Sequence, residues 1–160
     1  MPVSGRRPKV YITDIDFPTW DLELEVLSEI DAEVGVLQCR TEDEVISACA
    51  DADGLLIQYA PITERVVGQL PRCQVVSRYG IGVDTIDIAA CTKAGIWVCN
   101  AGDYCRTEVA EHAMALLLAC SRRVVVLDRS THRGEWNAVG VGGAIRSLPG
   151  RVLGLVGFGT

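Results

Sequence analysis

Between residues 9 and 101, short apolar runs alternate with segments of helical period, and this alternation limits the fold more than any other feature. The runs KVYITDI (9–15), AEVGVLQC (32–39), GLLIQYA (54–60), CQVVSRY (73–79) and IWVCNA (96–101) predict five strands. They are apolar runs and do not alternate, as expected of strands covered on both faces. Between them lie four helical segments. WDLELEVLSEI (20–30) places Leu22, Val26, Leu27 and Ile30 on one helical face. TEDEVISACADA opens with Thr41 as N-cap and Glu44 three residues on, a capping box. ITERVVGQL has Thr63 available near its start, and TIDIAACTKAG is closed by Gly95, with Asp84 expected as its N-cap. Strand–helix alternation at this spacing predicts an α/β fold, a flavodoxin-like doubly wound parallel sheet over residues 1–100.

The pattern changes after residue 101. Residues 106–136 read as one long helical stretch whose middle, 113–120, is apolar nearly all round, so burial on more than one side is expected. Residues 137–150 are glycine-rich and read as loop. RVLGLVGFGT (151–160) reads as a strand followed by the first half of a glycine turn. Residues 101–160 are therefore expected to be a crossover helix and the first strand of a second, truncated domain of Rossmann type. A chain of 160 residues has room for one full domain plus such a piece.

Composition narrows the function classes. A net charge of -6 argues against a nucleic-acid partner held by phosphate neutralisation. No apolar run approaches the roughly 20 residues that span a bilayer. The amino-terminal MPVSGRRPKV lacks the apolar segment of a signal peptide. The seven cysteines contain no C-x-x-C pair, so neither a zinc site nor a disulfide framework is expected; reduced thiols in the cytoplasm fit better.

Two glycine turns carry the chemistry. Gly157, Phe158 and Gly159 after VLGLV match the opening of G-x-G-x-x-G. In that motif the first glycine makes the strand-to-helix turn and the second lets backbone approach a pyrophosphate. Upstream, YGIGVD puts Gly80 and Gly82 at the carboxyl end of a strand, where open α/β sheets bind ligands. Glycines there bring backbone N–H groups close to an anion; an ordinary turn capped by Asp84 is the competing reading.

The run RYGIGVDTIDIAACTKAGIWVCNAGDYCRTEVAEHAMALLLACSRR, then RGEW, then LPGRVLGLVGFGT, resembles the D-isomer-specific 2-hydroxyacid dehydrogenases, closely over residues 76–160 and through the strand–helix pattern over 9–75. The resemblance implies a flavodoxin-like substrate domain, a Rossmann domain and a cleft between them. It implies that Ile81 and Gly82 present amides to a substrate carboxylate, with Ile81 also beside the nicotinamide. Tyr104 would line the substrate pocket, and Gly157, Phe158, Gly159 and Thr160 would open the pyrophosphate loop. NAD is the implied cofactor, with NADP open, and the partner a small 2-hydroxy or 2-oxo acid. The helix after Arg106 would pack across a homodimer. In the family the catalytic arginine, glutamate and histidine follow the Rossmann glycines, so no catalytic residue is expected here and the chain alone is expected to be inactive. His112 is expected to be a packed or capped structural histidine and His132 a solvated one. The family usually has proline where this chain has Gly102, which loosens the expected crossover. Two other readings compete: a signalling domain using Asp14 and Asp16 as an acidic metal pocket, and a non-catalytic interaction module with the same fold.

Overall fold

A computed structural model of the chain describes residues 6–157. It divides into two compact units, the first ending at Asp103 and the second beginning at Tyr104.

The first unit is a five-stranded parallel sheet in the order β2-β1-β3-β4-β5. Its strands are β1 (Lys9–Ile12), β2 (Glu33–Val36), β3 (Gly54–Ile57), β4 (Val75–Arg78) and β5 (Trp97–Cys99). They are joined by α1 (Asp21–Ser28), α2 (Glu42–Cys49), α3 (Glu64–Val67) and α4 (Ile88–Ala94). This is the flavodoxin-like strand order, which reverses direction between β1 and β3. All five expected strands form, each shorter than its apolar run. The core is built from Ile12, Leu55, Ile57 and Val76 on the strands, Val45 and Cys49 on α2, Val66 on α3 and Cys91 on α4. Burying each of the larger aliphatic side chains contributes about 1.5–3 kcal/mol.

Local signals fix several boundaries. The Thr41 hydroxyl accepts the Glu44 amide while the Glu44 carboxylate accepts the Thr41 amide, completing the capping box on α2. Thr63 caps α3 through the Val66 amide. Gly95 ends α4 at φ 73°, in the left-handed region.

One expectation in this unit is corrected. The N-cap of α4 is Asp87, which accepts the Ala90 amide at 2.9 Å, and not Asp84. The reason lies outside the segment. Ile62 donates to Thr85 O and accepts from Asp87 N, both at 2.8 Å, so residues 85–87 are held extended against the entry to α3. The helix cannot begin until that pairing ends. The amphipathic face of α1 is present, yet none of its residues is buried, and Leu22 stays 75% exposed.

The second unit contains α5 (Arg106–Ser121), α6 (Val124–His132) and α7 (Ala138–Gly142). The single long helix expected over 106–136 is broken: Arg123 takes φ 55° as the N-cap of α6. The residues of 113–120, expected to be covered on several sides, are not buried, and α5 as a whole buries nothing. The glycine-rich segment is not all loop, since Asn137 caps α7 through the Gly140 amide. Residues 151–157 form no strand, and Val152 is 98% exposed. A strand needs a neighbour to accept its ladder bonds, and an apolar run without one has no reason to stay extended.

Candidate functional site

The glycine loop after β4 leaves the carboxyl end of the sheet, on the side where β3 also ends. Tyr79 N–H still bonds to Ile57 O at 2.8 Å, which carries the β3–β4 pairing one residue beyond the strands. The Tyr79 ring packs edge-on against Phe17, with centroids 5.6 Å apart, and burial raises its phenol pKa. Gly80 then takes φ 137°, a conformation that L side chains rarely adopt. A Cβ at Gly80 would stand 2.7 Å from Arg78 Nη1, and one at Gly82 would stand 3.1 Å from an Asp84 carboxylate oxygen. Gly80 is thus required by backbone conformation, while at either glycine a side chain would first have to displace the end of Arg78 or Asp84.

Ile81 and Gly82 lie together on this loop, exposed at the surface, with Ile81 at 43%. Their carbonyls point into the unit. Asn100 Nδ2 donates to Ile81 O at 2.8 Å, Arg78 Nη1 to Gly82 O at 2.7 Å, and Ala101 N–H to Gly80 O at 3.0 Å. Arg78 is itself steadied by a bond from Nε to Gln58 O at 3.3 Å. The amides of Ile81 and Gly82 donate to no group among the described residues. The loop therefore offers unpaired N–H groups, with a guanidinium behind them, which favours an anion.

Sequence reasoning missed Arg78 and Asn100. Arg78 sits inside an apolar strand run and Asn100 ends another, and neither belongs to a periodic or motif-like pattern. Only the parallel pairing of β4 with β5 brings Asn100 beside a loop 19 residues earlier.

The other expected site residues fall in the second unit. Tyr104 is 68% exposed at its start, and Gly157 has φ 84°, as a tight turn requires. Phe158, Gly159 and Thr160 lie outside the described residues. Gly102 has φ 63°, a value closed to proline, so the departure from the family pattern is matched by a distinct backbone conformation.

The remaining candidates resolve into structure. The Asp14 carboxylate is fully buried and accepts the amides of Gln58, Tyr59 and Ala60 and the Thr13 hydroxyl. Asp16 is exposed, 3.5 Å from Arg40. These two carboxylates therefore do not form a shared pocket. No three His, Cys, Asp or Glu residues are placed to hold a metal among the described residues. His132 is exposed beside Asp128, as expected. His112 is exposed too, contrary to the packed position expected for it, because the face of α5 around it has no cover. All seven cysteines are free, four of them buried. No helix among the described residues is long and apolar enough to cross a membrane.

Comparison with known proteins agrees with this architecture. The family model described as D-isomer specific 2-hydroxyacid dehydrogenase, catalytic domain, matches residues 11–154. The chain is 35% identical over 152 residues to a D-3-phosphoglycerate dehydrogenase of Methanocaldococcus jannaschii, covering 94% of this chain and 28% of that protein. It is 32% identical over 165 residues to a glyoxylate reductase of Pyrococcus furiosus, covering 96% and 47%. Among solved structures, NAD+-bound 3-phosphoglycerate dehydrogenase of Entamoeba histolytica superposes with a TM-score of 0.63 at 25% identity, over 73% of this chain and 40% of that one. The chain thus spans less than half the length of these relatives. By the extent of the family match and the parallel sheet that carries it, the chain belongs to the D-isomer specific 2-hydroxyacid dehydrogenase family.

Proposed function

We propose that this chain supplies the substrate-binding part of an NAD(H)-dependent oxidoreductase acting on a small D-2-hydroxy acid or 2-oxo acid. The observation that carries the reading is the loop after β4, where unpaired amides of Ile81 and Gly82 face outward above inward-held carbonyls. A carboxylate is the anion that such a pair of N–H groups fits, and family membership supports it. Ile81 would bind the acid through its amide while its exposed side chain borders the nicotinamide, and the family resemblance also gives Tyr104 a substrate-binding role.

Gly157, Phe158, Gly159 and Thr160 would begin the pyrophosphate loop, and the positive φ of Gly157 suits the first glycine of such a turn. The bound cofactor would supply or accept the hydride. NAD is favoured by the relatives, with NADP left open. These 160 residues provide binding and orientation; we assign no catalytic acid, base or carbonyl-polarising group to them. The exposed apolar residues of α5, including Val109, Met114 and Leu116, support pairing with a second copy through that helix. Free cysteines support a reducing compartment such as the cytoplasm.

The test is an assay of NADH oxidation with glyoxylate, hydroxypyruvate and pyruvate, run on the 160-residue chain and on its complete reading frame. Turnover is expected only from a frame that adds a third glycine and later arginine, glutamate and histidine. Turnover by the 160-residue chain alone, or none from such a longer frame, overturns the reading. Light scattering of the 160-residue chain should show association, and a clean monomer counts against pairing through α5.

A further inference from the structure

Three consecutive carbonyls in the glycine loop are anchored by three different donors: Gly80 O by Ala101 N–H, Ile81 O by Asn100 Nδ2 and Gly82 O by Arg78 Nη1. No peptide bond among the described residues is cis. In a planar trans unit the C=O and the N–H that follows it point in opposite directions. Each anchored carbonyl therefore aims the next amide away from its anchor. Ala101 sets the Ile81 N–H, Asn100 sets the Gly82 N–H, and Arg78 sets the Val83 N–H. None of these three amides donates to a group among the described residues. Three successive unpaired amides are thus set by donors that bond the loop's carbonyls and need not touch a ligand.

We propose that Asn100, together with Arg78, is a positioning residue of this anion loop, holding the peptide planes so that the Gly82 and Val83 amides stay available to the bound carboxylate beside that of Ile81. This rests on the reading of the loop as a carboxylate site. Of the two, Asn100 is the more exacting. Its amide nitrogen donates to Ile81 O, and the isosteric aspartate would present an oxygen to that carbonyl in its place. Flipping the 81–82 peptide to relieve the repulsion would turn the Gly82 N–H inward. Arg78 holds two carbonyls, Gln58 O and Gly82 O, so it ties the loop to the end of β3. Its charge adds to the positive potential of the amides without requiring an ion pair to the acid. Asn100 also lies just before Gly102 and the start of the second unit, so the strand that feeds the crossover is the strand that orders the loop.

The experiment is an NMR titration of the 15N-labelled chain with glyoxylate, following the amides of Ile81 and Gly82, with heteronuclear NOE values recorded first without ligand. In the wild type both amides should shift on titration and both should show rigid NOE values beforehand. Asn100→Asp and Asn100→Ala should raise the Kd about fivefold or more, the worth of one neutral hydrogen bond. They should also lower the NOE at Ile81 and Gly82 while leaving the thermal midpoint unmoved. Arg78→Met should weaken binding similarly, and Arg78→Lys should regain part of it because one ammonium donor and the charge return. Unchanged Kd and NOE in Asn100→Asp would overturn the positioning role while leaving the carboxylate loop standing. If glyoxylate moves neither amide in the wild type, the carboxylate reading fails and the proposed role fails with it.

Discussion

The Asp14 carboxylate, fully buried at the end of β1, accepts the Tyr59 amide at 2.6 Å across the carboxyl end of the sheet. Bonds from Gln58 N at 3.1 Å and Ala60 N at 3.2 Å complete the set, so one side chain orders the turn that leaves β3. A buried carboxylate is tolerated here because three backbone amides and the Thr13 hydroxyl donate to it. Asp14→Ala leaves three amides unpaired and should destabilise the unit by about 2–4 kcal/mol in urea unfolding. Asp14→Asn keeps one acceptor oxygen and should fall between the two. A loss under about 1 kcal/mol would show that water replaces the carboxylate without cost.

Gly80→Ala combines a forbidden backbone conformation with a Cβ 2.7 Å from Arg78 Nη1. The arginine can swing aside, but only by releasing Gly82 O. The cost should reach about 1–3 kcal/mol from the backbone alone. Gly95→Ala is the control: φ 73° is also left-handed, yet nothing lies within 4 Å of its Cβ. Its cost should be smaller, about 1 kcal/mol. Equal losses in denaturant titration would mean that Arg78 is not held as described.

Asp53 sets an acid limit on stability. Its carboxylate accepts Arg6 Nη2 at 2.5 Å, Lys9 N–H at 2.7 Å and Arg72 Nη2 at 2.9 Å. Burial works to raise its pKa, but the Arg6, Lys9 and Arg72 bonds outweigh that and hold the carboxyl well below the usual carboxylate range. A depressed folded-state pKa stabilises above the unfolded value of 3.8 and stops doing so as pH falls through the folded value. Urea midpoints should therefore drop as pH is lowered below about 4, and Asp53→Asn should flatten that dependence while lowering the midpoint at neutral pH. A wild-type midpoint that holds steady through this range would contradict the Asp53 cluster.

The cysteines make an opposite, alkaline prediction. Burial pushes the Cys49 thiol up to about 12 and the Cys73 thiol up to about 11. Here the neutral form is favoured by folding. The contribution is complete below the unfolded value of 9.0 and is lost as pH rises towards the folded values. In a thiol-reagent assay near neutral pH, the exposed Cys99 and Cys120 should react quickly and Cys105 more slowly. Cys39, Cys49, Cys73 and Cys91 should react only in denaturant. Rapid labelling of all seven in the native chain would mean the core around α2 and α4 is open.

Much of the first unit was legible because its determinants are local. The Thr41–Glu44 box, the Thr63 cap and the left-handed Gly95 are each satisfied within a few residues, so their signatures survive without tertiary knowledge. The Gly80 and Gly82 turn was recognisable for the same reason. Asn100 and Arg78 were not, since their importance comes from facing the carbonyls of Ile81 and Gly82, and nothing in their own neighbourhoods records that. The competing signalling reading pairs Asp14 with Asp16 as an acidic metal pocket, and only the β1–β3 neighbourhood turns Asp14 into a buried acceptor.

The amino-acid order by itself determined the alternation of strand and helix, the parallel sheet that follows from it, the caps of α2 and α3, the left-handed end of α4 and the turn at Gly80, because apolar period and capping chemistry act over one or two turns of chain. Tertiary structure decided the rest. It delayed α4 to Asp87 through the Ile62–Ile86 pairing, left residues 151–157 without a ladder partner, and set the donors of Asn100, Ala101 and Arg78 behind one loop. Each of these depends on which distant backbone groups are within hydrogen-bonding reach, and that proximity exists only once the sheet has formed.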